Sequence, residues 1–504
     1  MIQKYKVSIM LFIWTVVISL FCNIDSYLYA QCGQFDSSCF FMAGKAMMKG
    51  LIPYDDFADS KGVLLWFIYG IGYWIDHYSY IGVFWLACIN LWGTLLISYK
   101  TARLWLEERS AMLAAMSLIV PLTYWNFYCE TKAEHFCWPA VAWGLYVLLR
   151  QMRGLTVKTS HYIGVGVGVI ACLMLKWSVA AMMVSFVGSI GWWAWRQRSF
   201  KTFITGTLSG LSLASLPFAI AFTCWNNWDD MWREYFVNTL ATVNLPFDET
   251  LVAYSKEIKQ LFTSHRFIYL LYTLPALWLW RKQDWFATAL PTLCGLFFIA
   301  LSIRHDESGH YLSVVGPFAI VAIVYGITLC VRFHVKMYYV GIMSLLSTIY
   351  VIWGSIHYTA SFCTKAGDRF DSFMAASAVM SKVDEPRIIV IGLDLGLCMA
   401  SSLPGTRYWI TQKGKSEQMW NEQLAVIRSG SADFIIFFDS SALPILSSDL
   451  QRLDYHYLTS CHGGVIYSKT NLQMPTELRH FMVRDIVLKK TYTEMYRNQI
   501  SKFQ

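Results

Sequence analysis

Apolar residues in this chain come in blocks rather than in alternation. Runs with almost no charge fall near 7–23, 79–98, 111–126, 135–149, 161–176, 178–195, 203–224, 267–280, 285–303, 311–331 and 337–356. Most approach the roughly 17–22 residues that carry a helix through the hydrocarbon core of a bilayer. They predict eleven transmembrane helices. A further run, "GVLLWFIYGIGYWIDH" at 62–77, is as greasy, but it is short, interrupted by glycine and closed by Asp76 and His77. Past about residue 360 the pattern changes. "RIIVIGLD" (387–394), "ADFIIFFD" (432–439) and "GGVIYSK" (463–469) read as short buried strands, and "SEQMWNEQLAVIRSG" (416–430) as an amphipathic helix stopped by Gly430. The predicted fold is a polytopic α-helical membrane protein with a small C-terminal α/β soluble domain. The expected boundaries are 1–357 for the membrane domain, 358–470 for the α/β domain and 471–504 for a basic tail.

Composition supports this class. The chain is 56% hydrophobic and 15% charged, where soluble domains sit near 45–50% and 25%. The net charge of +8 is read as a set of cytoplasmic loops, not as a nucleic-acid footprint, because basic residues gather on the cytoplasmic side of membrane proteins. That rule also decides the run at 62–77. If it lies on the surface as a juxtamembrane helix, "YKTARLWLEERS" (99–110), "RQMRGLTVK" (150–158), "RQRSFK" (196–201), "RKQD" (281–284) and "RFHVK" (332–336) all fall on the same side as "MIQKYK". The N-terminus is then cytoplasmic. The acidic loops and everything beyond 357 lie outside; with no organelle-retention signal in the sequence, a bacterial inner membrane is expected. "MIQKYK" and its apolar run resemble a signal peptide, but the run is long and "LYA" is a poor cleavage site, so an uncleaved first span is expected. The 13 cysteines show no metal-ligand spacing; Cys32 and Cys39 form a pair only if they face an oxidising compartment.

This topology gathers chemistry on one rim. Asp36, Asp55, Asp56, Asp59 and Lys61 come from the first external loop, and Glu130, Lys132, Glu134 and His135 from the next. Lys176 sits at a turn between spans. Asp229, Asp230 and Glu234 open a large loop, and Arg304, His305, Asp306, Glu307, His310 and Tyr311 lie between two late spans. Carboxylates beside cations at headgroup depth suit an amphiphilic substrate with a phosphate head and a lipid tail. Lysine or arginine would hold the phosphate, and a carboxylate would take a proton from an attacking hydroxyl. Each residue also has a structural reading. Asp36 and Asp59 are candidate helix caps, Asp55 and Asp56 follow "IPY" as turn residues, and Lys61 is placed to snorkel to the interface.

The stretch "DSSCFFMAGKAMMKGLIPYDDFADSKGVLLWFIYGIG" (36–72) resembles the first external loop of GT-C glycosyltransferases, and more narrowly that of the protein O-mannosyltransferases and the lipid A aminoarabinose transferase. Asp36 matches the acid of that loop and Lys61 its lysine. The proline that usually follows the lysine is replaced here by Gly62 and Val63. "ETKAEHFCWP" (130–139) is similar to the second acidic motif with Glu134, "LKWSVAAMM" (175–183) to a lysine segment with Lys176, and "SGHYLSVVGPF" (308–318) to a bacterial motif with His310, Tyr311 and Pro317. The resemblance implies an inverting transfer of a hexosyl or pentosyl-type sugar from a polyprenyl-phosphate-linked donor to a hydroxyl on protein, lipid or cell-envelope glycan. It implies Asp36 as general base or acceptor-orienting carboxylate, and Lys61 and Lys176 as phosphate-neutralising cations. His310 and Tyr311 would contact the donor phosphate or sugar, and Glu134 would help shape the acceptor or metal site; Asp55 and Asp56, read from their place in the loop, are turn residues first and acceptor-binding or accessory candidates second. No cofactor is expected; a divalent metal occurs in some members and is not predicted here. The alternative is a glycolipid transporter or flippase. It is less well matched because the spans carry no internal repeat, and the one ionisable residue well inside an apolar run, Lys176, falls at an outer end.

Overall fold

The computed structural model describes residues 2–29, 35–77, 79–123, 131–242, 252, 255, 309–380, 382–392, 402–411, 417–438, 442–461 and 464–472. The expected spans at 267–280 and 285–303, the tail beyond 472, Cys32, Glu130 and residues 304–307 lie outside the described residues.

In chain order the helices are α1 (Ile2–Cys22), α2 (Phe35–Met48), α3 (Val63–Ile75), α4 (Ile81–Ala102), α5 (Glu108–Ser117), α6 (Ile119–Thr123), α7 (Ala133–Met152), α8 (Thr159–Leu175), α9 (Trp177–Arg196), α10 (Phe200–Trp225) and α11 (Trp228–Met231). A π-helical turn (Trp232–Asn238) leads into α12 (Thr239–Thr242). A 3-10 stretch (Gly309–Phe318) leads into α13 (Ala319–Arg332), followed by the 44-residue α14 (Met337–Met380). The C-terminal part holds β1 (Arg387–Ile391), β2 (Leu403–Pro404), β3 (Ile410–Thr411), α15 (Glu417–Ser429), β4 (Phe434–Phe437), α16 (Leu443–Arg452), β5 (His456–Cys461) and β6 (Gly464–Ser468).

Among the described residues, six helical segments are long and apolar enough to cross a membrane: Tyr5–Cys22, Ile81–Ala102, Trp177–Arg196, Phe200–Trp225, Ser313–Arg332 and Met337–His357. Their exposed faces are greasy. Leu208, Leu213, Leu216 and Ile220 on α10, and Ile342, Met343, Leu346 and Trp353 on α14, all stand exposed. Stripes of that size are stable against lipid tails, not against water. The protein is a helical membrane protein. α3 has 13 residues, so it spans about 20 Å, short of the ~30 Å hydrocarbon layer.

Two expectations about helix limits change. The run at 111–126 does not form one helix, because α5 stops at Ser117 and α6 restarts at Ile119. Pro121 has no N–H to give the Ser117 carbonyl, so the ladder breaks there. The span expected at 337–356 is matched by the apolar segment Met337–His357, but the helix that carries it does not end there; α14 continues to Met380. Loss of hydropathy ends a span, but only a breaker or cap ends a helix.

The chain divides into two compact units. One comprises Met1–Cys22, Ala87–Asn226 and Val243–Ile356; the other comprises Asn23–Leu86, Asn227–Thr242 and His357–Gln504. In the first, α8 and α10 pack at backbone distance. A Cβ on Gly166 would overlap the Thr207 carbonyl, and one on Gly210 the carbonyl of Ile163. Small residues permit such approach, and van der Waals packing is the main force between helices in lipid. In the second, α2 and α3 meet in the same manner: a Cβ on Gly44 would sit 2.5 Å from the Gly70 nitrogen. Phe40 lies edge-on to Tyr69 at 5.5 Å, and Phe41 to Tyr73 at 6.0 Å.

The six-stranded sheet runs in the order β2-β1-β4-β6-β5, with β3 also pairing β1. β1 is parallel to β2, β3 and β4; β4–β6 and β5–β6 are antiparallel. Ile389, Ile391, Ile435 and Phe437 form its core with Leu424 and Ile427 of α15 and Leu446 and Leu450 of α16. Gly430, at φ +68, follows α15 where a left-handed residue is needed to end it.

Candidate functional site

In the second unit, the first loop is a turn built around a strained tyrosine. Tyr54 has φ +66 and is buried. Its N–H donates to the Phe57 carbonyl at 2.7 Å, and the Asp56 carboxylate accepts the Ile52 N–H at 2.6 Å. A left-handed tyrosine costs on the order of 1 kcal/mol. Burial of its ring offsets this, with Trp66 at 4.9 Å and Tyr235 at 6.0 Å. The Tyr54 hydroxyl donates to the carbonyl of Lys61 at 2.9 Å.

Lys61 is half-buried. Its ammonium donates to Ser60 Oγ at 3.2 Å and lies 5.6 Å from the centre of the Phe40 ring, a cation–π distance. Gly62 caps α3 without a side-chain hydrogen bond. Asp59 is therefore not the cap of this helix; its carboxylate instead accepts the Ser60 N–H at 2.6 Å and hydroxyl at 3.2 Å. Asp36 is half-buried in the first turn of α2, where an acid complements the partial positive charge of the helix end.

The same unit contains a charge cluster centred on Arg407. Its Nε donates to the Asp55 carbonyl at 3.1 Å and its Nη2 to Asp55 Oδ1 at 3.1 Å. Its Nη1 lies 3.2 Å from Asp230 Oδ1 and 3.6 Å from Glu234 Oε1. The Ala58 N–H donates to the Arg407 carbonyl at 2.9 Å. Next to it, the Tyr408 hydroxyl donates to Glu234 Oε1 at 2.8 Å. Arg233 pairs with Asp230 and, at 3.1 Å, with Glu234, while Asn238 donates to Glu234 Oε2 at 2.8 Å. Asn227 donates to the Pro53 carbonyl at 2.7 Å. Burial, then the Glu234 carboxylate, pushes the Tyr408 phenol far above its usual range. Burial also raises Glu422, with Arg407 opposing. The sequence reading left Arg407 and Tyr408 out, and treated Asp230 and Glu234 as rim charges. "TRYW" has no periodicity or motif to mark it, and the carboxylates that meet Arg407 and Tyr408, on Asp55, Asp230 and Glu234, are more than 170 residues away.

In the first unit, Glu134 is buried in the first turn of α7, and Lys176 sits in extended backbone (φ −157) where α8 ends and α9 begins. Their side chains form an ion pair at 3% and 12% exposure. Nearby, His135 Nδ1 accepts the Lys132 N–H at 3.2 Å, Asn90 donates to the His135 carbonyl at 2.6 Å, and Trp138 donates to the Ser313 carbonyl at 2.7 Å. These bonds fix the start of α7. The backbone of His310 and Tyr311 belongs to the 3-10 stretch at 309–318, and their side chains lie outside the described residues. Of the expected residues, the structure thus brings Glu134 to Lys176 in one unit, and sets Asp55, Asp56 and Lys61 on one short loop in the other. Among the described residues, no group of three or more His, Cys, Asp or Glu side chains is arranged to hold a metal ion.

No family model and no curated protein matches the sequence. Solved structures do match in fold. ArnT from Cupriavidus metallidurans, bound to undecaprenyl phosphate, superposes with a TM-score of 0.55 at 10% identity, covering 91% of this chain and 98% of that one. Its apo state gives 0.50 at 10% identity, over 94% and 99% of the two chains. The Archaeoglobus fulgidus oligosaccharyltransferase in its apo form gives 0.52 at 9% identity, over 93% of this chain and 75% of that one. Over most of its length, then, the chain shares the fold of these solved structures.

Proposed function

We propose that this protein is a membrane glycosyltransferase. It moves a sugar from a polyprenyl-phosphate-linked donor to a hydroxyl on protein, lipid or cell-envelope glycan, at the outer face of a bacterial inner membrane. One observation carries the reading: within a GT-C-like fold, the first-loop lysine, Lys61, is a half-buried cation held in place by Tyr54, Ser60 and Phe40. A matched structure, ArnT, binds undecaprenyl phosphate. A fixed cation at the head of an apolar helix suits the same chemistry here.

In this reading the acceptor oxygen attacks the anomeric carbon as the bond from that carbon to the phosphate oxygen breaks. Asp36 takes the hydroxyl proton. The leaving polyprenyl phosphate keeps the electron pair, and Lys61 stabilises its growing charge. A single displacement inverts the anomeric centre. Lys176 is assigned the same charge-neutralising task within its own unit, where Glu134 orients it. His310 and Tyr311 are assigned to the donor. Asp55 and Asp56 shape the loop, and any contact they make with the acceptor is secondary to that. No metal is assigned.

The test is reconstitution of the purified chain in proteoliposomes with polyprenyl-phosphate sugars. Release of polyprenyl phosphate together with a glycosylated product supports a transferase. Movement of intact donor across the bilayer with no bond broken supports the flippase reading instead. Mass spectrometry of envelope glycans and glycoproteins, with and without the protein, then identifies sugar and acceptor.

A further inference from the structure

We infer that Arg407, in the sheet-bearing C-terminal part, is a positioning residue that acts through Lys61. This rests on the reading just given, in which Lys61 meets the donor phosphate.

The contacts form an unbroken path within one compact unit. Arg407 grips the first loop from both its backbone and its side chain: its carbonyl accepts the Ala58 N–H at 2.9 Å, and its guanidinium takes both the carbonyl and the carboxylate of Asp55, each at 3.1 Å. Tyr54, at φ +66, directly precedes Asp55, and its N–H donates at 2.7 Å to the carbonyl of Phe57, the residue before Ala58, so the two grips flank the turn's closing bond. Tyr54 in turn fixes the backbone of Lys61 through its hydroxyl at 2.9 Å. The far side of Arg407 is anchored too. Asp230 at 3.2 Å and Glu234 at 3.6 Å hold Nη1, and Tyr408 holds Glu234 at 2.8 Å. A planar guanidinium with donors in fixed directions suits a three-way junction of this kind, which a lysine could not reproduce. The turn at Tyr54 is strained, and such a conformation persists only where its surroundings over-determine it. The C-terminal part supplies that restraint, so it belongs to the donor-handling machinery and is not an appendage.

The experiment is a mutant cycle on the full-length protein in proteoliposomes, reading polyprenyl-phosphate release. Lys61→Ala, Arg407→Ala and Tyr54→Phe are compared with Lys61→Ala/Arg407→Ala and Lys61→Ala/Tyr54→Phe, each checked for folding by its thermal transition. Displacing a reacting group by about 1 Å costs on the order of a hundredfold. Arg407→Ala and Tyr54→Phe are therefore expected to lower kcat by about tenfold to a hundredfold, with the acceptor KM little changed. In the Lys61→Ala background either change should cost less than about twofold, since the group it positions is gone. Losses that multiply would overturn the inference while leaving the role of Lys61 intact, as would a folded Arg407→Ala with full turnover. Full turnover by Lys61→Ala would overturn both the inference and the site reading. If Arg407→Ala does not fold, Tyr54→Phe, which removes one oxygen atom, decides by the same criteria.

Discussion

Arg407 and Asp55 meet at 3.1 Å although 352 residues separate them in the chain. Their exposures differ from those of the neighbouring pair. Asp55 is 51% exposed, whereas Glu234, on the same guanidinium, is 3% exposed. An exposed pair contributes about 0–1 kcal/mol, while stripping one partner from a buried cluster costs about 3–5 kcal/mol. Glu234→Ala should therefore lower the thermal transition of the detergent-solubilised protein far more than Asp55→Ala. Glu234→Gln, whose amide oxygen still accepts from Tyr408, should fall between them. Equal losses for the two alanine variants would show that burial does not govern this cluster.

The pair of Glu134 and Lys176 yields a second prediction. Both side chains are largely buried, so Lys176→Met alone leaves an uncompensated carboxylate and should cost about 3–5 kcal/mol. Adding Glu134→Gln should recover most of that stability. It should not recover transfer activity if Lys176 serves the donor. A double variant as unstable as the single one would contradict the pairing.

Helix packing can be tested at Gly166 and Gly210, where a Cβ would overlap the backbone of the facing helix. Gly166→Val should force α8 and α10 apart and cost at least ~1–3 kcal/mol, the usual penalty of overpacking. Gly326, with nothing within 4 Å of an added Cβ, is the control, and Gly326→Ala should be neutral or slightly stabilising.

Glu422 sets a pH dependence. Burial raises its pKa above the ordinary 4.5, so the folded state holds this proton more tightly than the unfolded one. The stability linked to it is complete below the unfolded value and is lost as pH rises through the folded one. Glu422→Gln removes that loss. Its melting temperature relative to the natural chain should increase from about pH 4 to pH 7. A difference that is flat, or that runs the other way, would contradict the raised value.

Much of the helical architecture was legible because the physics is local. α8, α9 and α10 begin and end close to the limits of their apolar runs, and α15 ends at the glycine that stops it. What escaped depends on non-local or fine detail. Pro121 splits an apolar run that hydropathy treats as whole. β2 and β3 are two residues long, too short to show a period. In the candidate site, Lys61 was visible from its motif, but the tyrosine that fixes it and the arginine that fixes the turn were not. Tyr54 entered only as the residue ahead of two turn aspartates, and Arg407 finds its carboxylate partners only once the chain has folded. Glu134 and Lys176 were each singled out, yet their pairing across 42 positions had no signal in the order of residues.

The most direct test of the central claim is the turnover of Asp36→Asn with a polyprenyl-phosphate sugar donor. The substitution keeps the size and polarity of a half-buried side chain in the first turn of α2 but removes the base. The account predicts a folded protein that still binds donor and releases polyprenyl phosphate at least ~100-fold more slowly, the low end of what a positioned base contributes. Unchanged release by a folded Asp36→Asn would contradict it.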